Sequence, residues 1–200
     1  MFQHIISFIL LLTLANIGIS QDWELRKNED GIKVYTKPTK GDGFDSFRAE
    51  MDVNLSVAQI ENFLRHMDKY PDAFPDTKEL RILARPNDST QIQYTLTDAP
   101  WPVSDRDGIY ELIFIKDKKT GNLKTVARAL PEYLPRKEDI VRIEKSNTFW
   151  IVEKIGPNKC RLEYIVHADP GGNIPEWLAN SAAVDVPFNT FKNIKKALKG

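Results

Sequence analysis

The chain has one cysteine, Cys160, and three histidines among its 200 residues, and each scarcity removes a class of chemistry. A single thiol forbids any disulfide within the chain, so a domain of this size must be held by its apolar core. Cys160 falls in the middle of a strand-like run and reads as a buried, inert thiol rather than a nucleophile. His4, His66 and His167 stand apart with no second ligand type at metal-binding spacing, so neither a metal nor a cofactor is expected. No CxxC, HExxH, nucleophile elbow or phosphate-cradling glycine loop is present. Charge of one sign is missing too. The 28 Lys and Arg balance 28 Asp and Glu, which leaves no basic field for nucleic acid.

The N terminus lacks charged side chains altogether. MFQHIISFILLLTLANIGISQ (1–21) carries no Lys, Arg, Asp or Glu. Its apolar run from Ile5 to Ile19 is shorter than the roughly 20 residues a membrane span needs. It suits the h-region of a secretory signal, with Gly18 and Ser20 before a cut near Gln21. The expectation is a signal at 1–20 and one domain at 21–200, exported to a periplasmic or extracellular space, or membrane-anchored if the segment stays uncleaved.

What is present is a series of short alternating strands and one long helix. In WELRKNEDGIKVYTK (23–37) an amphipathic turn or short helix leads to Asp30-Gly31 and a strand at Ile32 to Tyr35, FRAEMDV (47–53) alternates, and Ser56 caps a helix with Val57, Ile60, Phe63, Leu64 and Met67 on one face. In 91–97, Ile92, Tyr94 and Leu96 share one face, and Gln91, Gln93, Thr95 and Thr97 the other. About eight or nine strands in hairpins follow from the same pattern. Two proline-punctuated loops interrupt them. APWPVSDRD (99–107) presents Trp101 and an ion-paired Asp105-Arg106-Asp107 anchor; LPEYLPRKED (130–139) presents Tyr133 and Leu134. Loops do not ordinarily carry such residues unless they cover something.

The closing segment (167–200) ends a strand, turns at Asp169-Pro170-Gly171-Gly172 and enters a long helix. Asn173 serves as N-cap, or the helix starts one residue later with Pro175 in its first turn. Glu176 and the basic set Lys192, Lys195, Lys196 and Lys199 complement the helix dipole. Ile174, Trp177, Leu178, Val184, Phe188, Phe191, Ile194 and Leu198 recur near the helical period, as one buried face requires. Pro187 interrupts it, either as a static kink round a curved sheet or as a hinge. The sum is an α+β fold, an antiparallel sheet with helices on one side. A curled sheet gripping one helix leaves a space between them, filled as a core or open as a ligand cavity.

PWPVSDRD (100–107) ahead of a strand, and HADPGGNIPEWLAN (167–180) ahead of a long helix with Pro187, resemble the START (StAR-related lipid-transfer) domain family over roughly 23–198. The resemblance implies a helix-grip fold: a curved antiparallel sheet wrapped around the C-terminal helix, enclosing a hydrophobic cavity for one lipid or sterol-like molecule. It implies a monomer without cofactor or turnover, in transient contact with membranes. Ile92, Tyr94, Leu96, Trp101 and Leu112 would wall the cavity from the sheet and loops. Ile174, Trp177, Leu178, Val184, Phe188 and Phe191 would wall it from the helix. Arg106, Asp107, Tyr133, Leu134, Gly171, Gly172 and Pro187 would belong to the loops and hinges of its lid. Phosphatidylcholine-binding members place an arginine on the strand after the RD motif. Leu112 stands there, which argues against a phospholipid headgroup and leaves sterol, fatty-acid and isoprenoid-like ligands equally open. Two other classes compete. One is a cyclase or aromatase-like enzyme using Arg128, Tyr164 or His167. The other is an interaction module with a packed interior, marked by a pocket below about 300 Å³.

Overall fold

The computed structural model describes residues 23–39, 45–172 and 174–198. The expected export segment at 1–20, the Asn173 cap and Lys199 lie outside the described residues. Strands β1 (Glu24–Glu29), β2 (Ile32–Pro38) and β3 (Asp45–Val53) come first, followed by helix α1 (Val57–Arg65). Next come β4 (Thr77–Asn87), β5 (Thr90–Thr97), β6 (Arg106–Lys116), β7 (Leu123–Ala129) and the short β8 (Val141–Arg142). β9 (Lys145–Gly156), β10 (Lys159–Asp169) and helix α2 (Glu176–Ala197) complete the chain.

Among the described residues ten strands form one sheet in the order β1-β2-β3-β10-β9-β7-β6-β5-β4, with β8 beside β6. Every pairing is antiparallel except β8 on β6. The local chemistry explains the elements. Asp30 (φ 54°) and Gly31 (φ 72°) close the β1–β2 hairpin, since a two-residue turn that matches strand twist needs positive φ at both positions. Ser56 and Gln59 form a reciprocal capping box at α1, whose Val57, Ile60, Phe63 and Leu64 are buried. Helix α2 begins later than either expected start. Pro175 occupies the cap position with extended ψ of 130°, where its missing N–H costs nothing, and the helix runs on through Pro187 to Ala197.

The main core lies on the concave face of the sheet. Val34, Ala49, Met51, Leu112, Leu123, Trp150 and Leu162 point into it from the strands, and Phe188, Phe191 and Ile194 from α2, which packs on β2 and β3. Trp150 stacks on Tyr164 with centroids 4.0 Å apart, and Phe191 lies 6.0 Å from Trp150. A separate cluster of Ile92, Tyr94 and Ile109 forms on the convex face, covered by Leu83, Leu96, Leu130 and Leu134.

Candidate functional site

Between the concave face and α2 the packing leaves a hollow of about 240 Å³. Gln93, Thr95 and Thr97 of β5, Tyr110 and Leu112 of β6, and Ala127 of β7 line one side. Ser146, Thr148 and Trp150 of β9 and Tyr164, Val166 and Ala168 of β10 line the next, while Val186 and Thr190 close it from α2. Met67, Phe74, Pro75, Asp76, Thr77, Leu80 and Ile143 complete the wall. The wall is therefore mixed rather than wholly apolar, and the sheet register orders it. Gln91 faces Leu112, Gln93 faces Tyr110, Thr95 faces Gly108 and Thr97 faces Arg106. Trp150 faces Tyr164 at the deep end. Hydrocarbon and aromatic surface dominate that end; the hydroxyls of Thr77, Thr95 and Thr97 and the carboxylate of Asp76 mark the other.

Polar groups here are buried. Gln93 is 8% exposed and its Oε1 has no partner among the described residues. Burial pushes the Tyr110 hydroxyl, hydrogen-bonded to Thr95, up to about 12. The same cause raises Tyr164 above the ordinary phenol range. A Cβ at Gly108 would run into the Tyr110 ring, which folds back along the strand, so glycine leaves that ring its place.

Residues of the SDRD segment separate by strand alternation, and the expected ion-paired anchor has other partners. Asp107 points to the convex side and binds Arg142 through two bonds of 2.6 and 3.0 Å, both side chains only 1% exposed. Arg142 also donates to the carbonyls of Pro131, Leu134 and Pro135. Asp105 takes Lys78 at 2.8 Å and the amide of Ala99 at 3.2 Å, bracing the Trp101 loop. Arg106 stays on the inner face.

The expected cavity wall needs correction at most positions. Ile92, Tyr94 and Leu96 lie on the convex face, because β5 turns Gln93, Thr95 and Thr97 to the hollow. Trp101 is 92% exposed and Trp177 73%, so neither is a wall residue. Ile174 and Leu178 are half-buried outside the hollow, Val184 packs on the main core, and Phe188 and Phe191 are filled-core residues. Of the expected wall, Leu112 lines the hollow; α2 contributes Val186 and Thr190 instead. The 130–139 loop is not over the hollow either. Leu134 seals the convex cluster, Tyr133 is 46% exposed, and Lys137 reaches the Tyr94 hydroxyl at 2.8 Å. Asp107 belongs with this outer loop. Gly171 (φ 67°) and Gly172 (φ 64°) make the turn into α2 against Val141, and Pro187 is buried within the helix.

Among the three residues considered for catalysis, Tyr164 lines the hollow. Arg128 is exposed on the other face of β7. His167 points outward, its Nδ1 2.7 Å from Ser46 Oγ and its ring 6.0 Å from Trp23. Sequence reasoning missed the Gln93-Thr95-Thr97 face and Arg142. One signal was available: a polar alternate face on a strand flanked by strands on both sides.

The START domain model matches residues 18–200. The chain belongs to the START domain family. The crystal structure of a STAR-related lipid transfer protein fragment from Xanthomonas axonopodis superposes with a TM-score of 0.82 at 33% identity, covering 89% of this chain and 99% of that one. An uncharacterized protein of Pseudomonas aeruginosa is 33% identical over 187 residues, 92% of this chain and 90% of that protein. The phosphatidylcholine transfer protein of Mus musculus is 24% identical over 181 residues, 88% of this chain and 83% of that one. The helix-grip arrangement of this START domain, a curved antiparallel sheet with α2 across its concave face, agrees with those likenesses.

Proposed function

We propose that this START domain binds one small apolar or amphipathic molecule of the lipid or sterol-like class between its sheet and α2, and carries it without chemical turnover. The observation that carries this reading is an unfilled space of about 240 Å³ at the grip of a START domain, walled deep by Leu112, Trp150, Met67 and Phe74. Each Å² of ligand hydrocarbon removed from water contributes about 25 cal/mol, so even a short chain supplies a useful driving force. A two-chain lipid needs the space to widen. The groups placed to move are the first turns of α2, the Gly171-Gly172 turn and the 99–105 loop. Trp101 and Trp177, both largely exposed, suit the headgroup level of a bilayer, where amphipathic rings partition, and we assign them the transient membrane contact. We further propose a monomer exported through the 1–20 segment. Tyr164 alone of the enzyme candidates reaches the hollow, and a phenol raised by burial is a poor base, which supports binding over catalysis.

The packed interaction module keeps one observation in its favour: the hollow falls short of the ~300 Å³ at which ligand pockets begin. Mass spectrometry of organic extracts from purified, signal-free protein separates the two. The carrier reading expects one dominant amphiphile in the extract, and rebinding of it to delipidated protein. An empty extract, with no binding across fatty acids, sterols and phospholipids, rejects it.

A further inference from the structure

Strand β5 turns two buried glutamines to the concave side, and they are held differently. Gln91 donates its Nε2 to the Leu64 carbonyl at 3.3 Å, which ties it to the end of α1. Gln93, two residues on and facing the same way, lines the hollow. The Oε1 of each lacks a hydrogen-bond partner among the described residues, but of the two only Gln93 stands where a guest molecule could supply one. An amide group buried without a partner is costly, and a bound polar group within reach relieves that cost. The amide carries a donor and an acceptor, so turning it about its last torsion presents either to the ligand.

The neighbours say what kind of group would meet it. Gln93 faces Tyr110 across the β5–β6 register, and the Tyr110 hydroxyl is already engaged with Thr95. Among the described residues that line the hollow there is no Lys, Arg or His. The one carboxylate, Asp76, is exposed and stands at the Thr77–Thr97 end, four residues along β5 from Gln93. An anion drawn to Gln93 would pass that carboxylate and find no counter-charge, and a cation would leave it behind. A hydroxyl exchanges water for a neutral amide at far smaller cost. In the other direction the wall turns apolar. Leu112 lies one row deeper than Gln93 and the Trp150–Tyr164 stack two rows, about 13 Å along the strands.

We propose that Gln93 is the specificity-determining residue of this hollow, and that it selects a ligand with an uncharged hydroxyl head, an alcohol of the fatty or sterol-like kind, held at the Gln93 amide with its hydrocarbon directed toward Trp150. A site built to hydrogen-bond a hydroxyl rejects the analogue that lacks the proton, because its own polar group is then left unpaired. The inference rests on the lipid-binding reading above and adds the chemical class of the head and the residue that reads it.

The test uses four probes with the same ten-carbon chain on delipidated protein at neutral pH: decanol, decyl methyl ether, decanoate and decylammonium, with affinity read by calorimetry. Decanol should bind at least about fivefold tighter than the ether, which keeps the oxygen but lacks the donor, and about tenfold tighter than either ion. In Q93L the alcohol-to-ether ratio falls towards one. In Q91L, whose loss falls on the α1 contact, the ratio stays as in wild type. The proposal is overturned if wild-type protein binds the ether or either ion as tightly as decanol, a comparison that does not depend on any variant folding. It is overturned equally if Q93L binds alcohol and ether in the wild-type ratio. If none of the four binds, the carrier reading fails and this inference with it, an outcome distinct from binding without preference.

Discussion

Removing the charge of Asp107 tests the most consequential relocation in the molecule. Asp107 and Arg142 are 1% exposed and joined by two bonds, and Arg142 holds three carbonyls of the 130–139 loop. Asp107→Asn leaves a buried guanidinium short of its counter-charge, a change that costs about 3–5 kcal/mol. At about 2–4 °C per kcal/mol for a domain of this size, the melting temperature falls by roughly 6–20 °C. Urea unfolding and calorimetry measure both quantities. Replacing the pair by apolar residues, Asp107→Leu with Arg142→Met, removes the stranded charge but leaves three carbonyls unpaired. The double variant therefore stays about 1–3 kcal/mol or more below wild type. Limited proteolysis of Asp107→Asn should cut first within 130–139. Ligand affinity of the folded fraction should be unchanged, because the pair sits on the convex side. A loss of less than about 1 kcal/mol, or a ligand off-rate that rises while stability holds, would refute the reasoning and return the loop to the mouth of the hollow.

Other expectations follow from the same geometry. Ala127→Leu, on β7 and facing the hollow, should weaken ligand binding while stability holds or rises by up to about 2 kcal/mol, as cavity filling does; unchanged titrations would place the ligand elsewhere. Phe188→Asp puts a charge into the filled core, where the residue is 4% exposed, so it should unfold the domain by more than about 4 kcal/mol in urea titrations. Trp101→Ala with Trp177→Ala should leave melting within about 0.5 kcal/mol per site and reduce sedimentation with vesicles. Burial pushes the Cys160 thiol up to about 11, so a thiol reagent at pH 8 should react only after denaturant is added. His167 has its pKa lowered by burial and by Lys37, which makes the neutral form the native one. The unfolded chain then binds the extra proton, and stability is lost as pH falls below about 6.5; urea midpoints at pH 5 and 7.5 should differ less in His167→Gln.

Local chemistry was legible except at β1, where a turn or short helix was expected and pairing with β2 made Glu24–Glu29 a strand. The Asp30-Gly31 turn, the Ser56–Gln59 box, the alternating strands and the long α2 each follow from interactions within a few residues of chain, and with the PWPVSDRD and DPGGNIPEWL segments they sufficed for the α+β helix-grip architecture. Which face of β5 meets the hollow was not legible, because alternation separates two faces without naming them. The usual rule, apolar side inward, fails where a loop folds back to make the outer face a second core. That loop is held by Arg142, a partner 35 residues from Asp107 in the chain. Arg106 has the same character: three adjacent charges look self-neutralising in one dimension. Strand alternation and distant cations draw the acids away, so only the tertiary structure leaves the central guanidinium buried with no ion pair among the described residues.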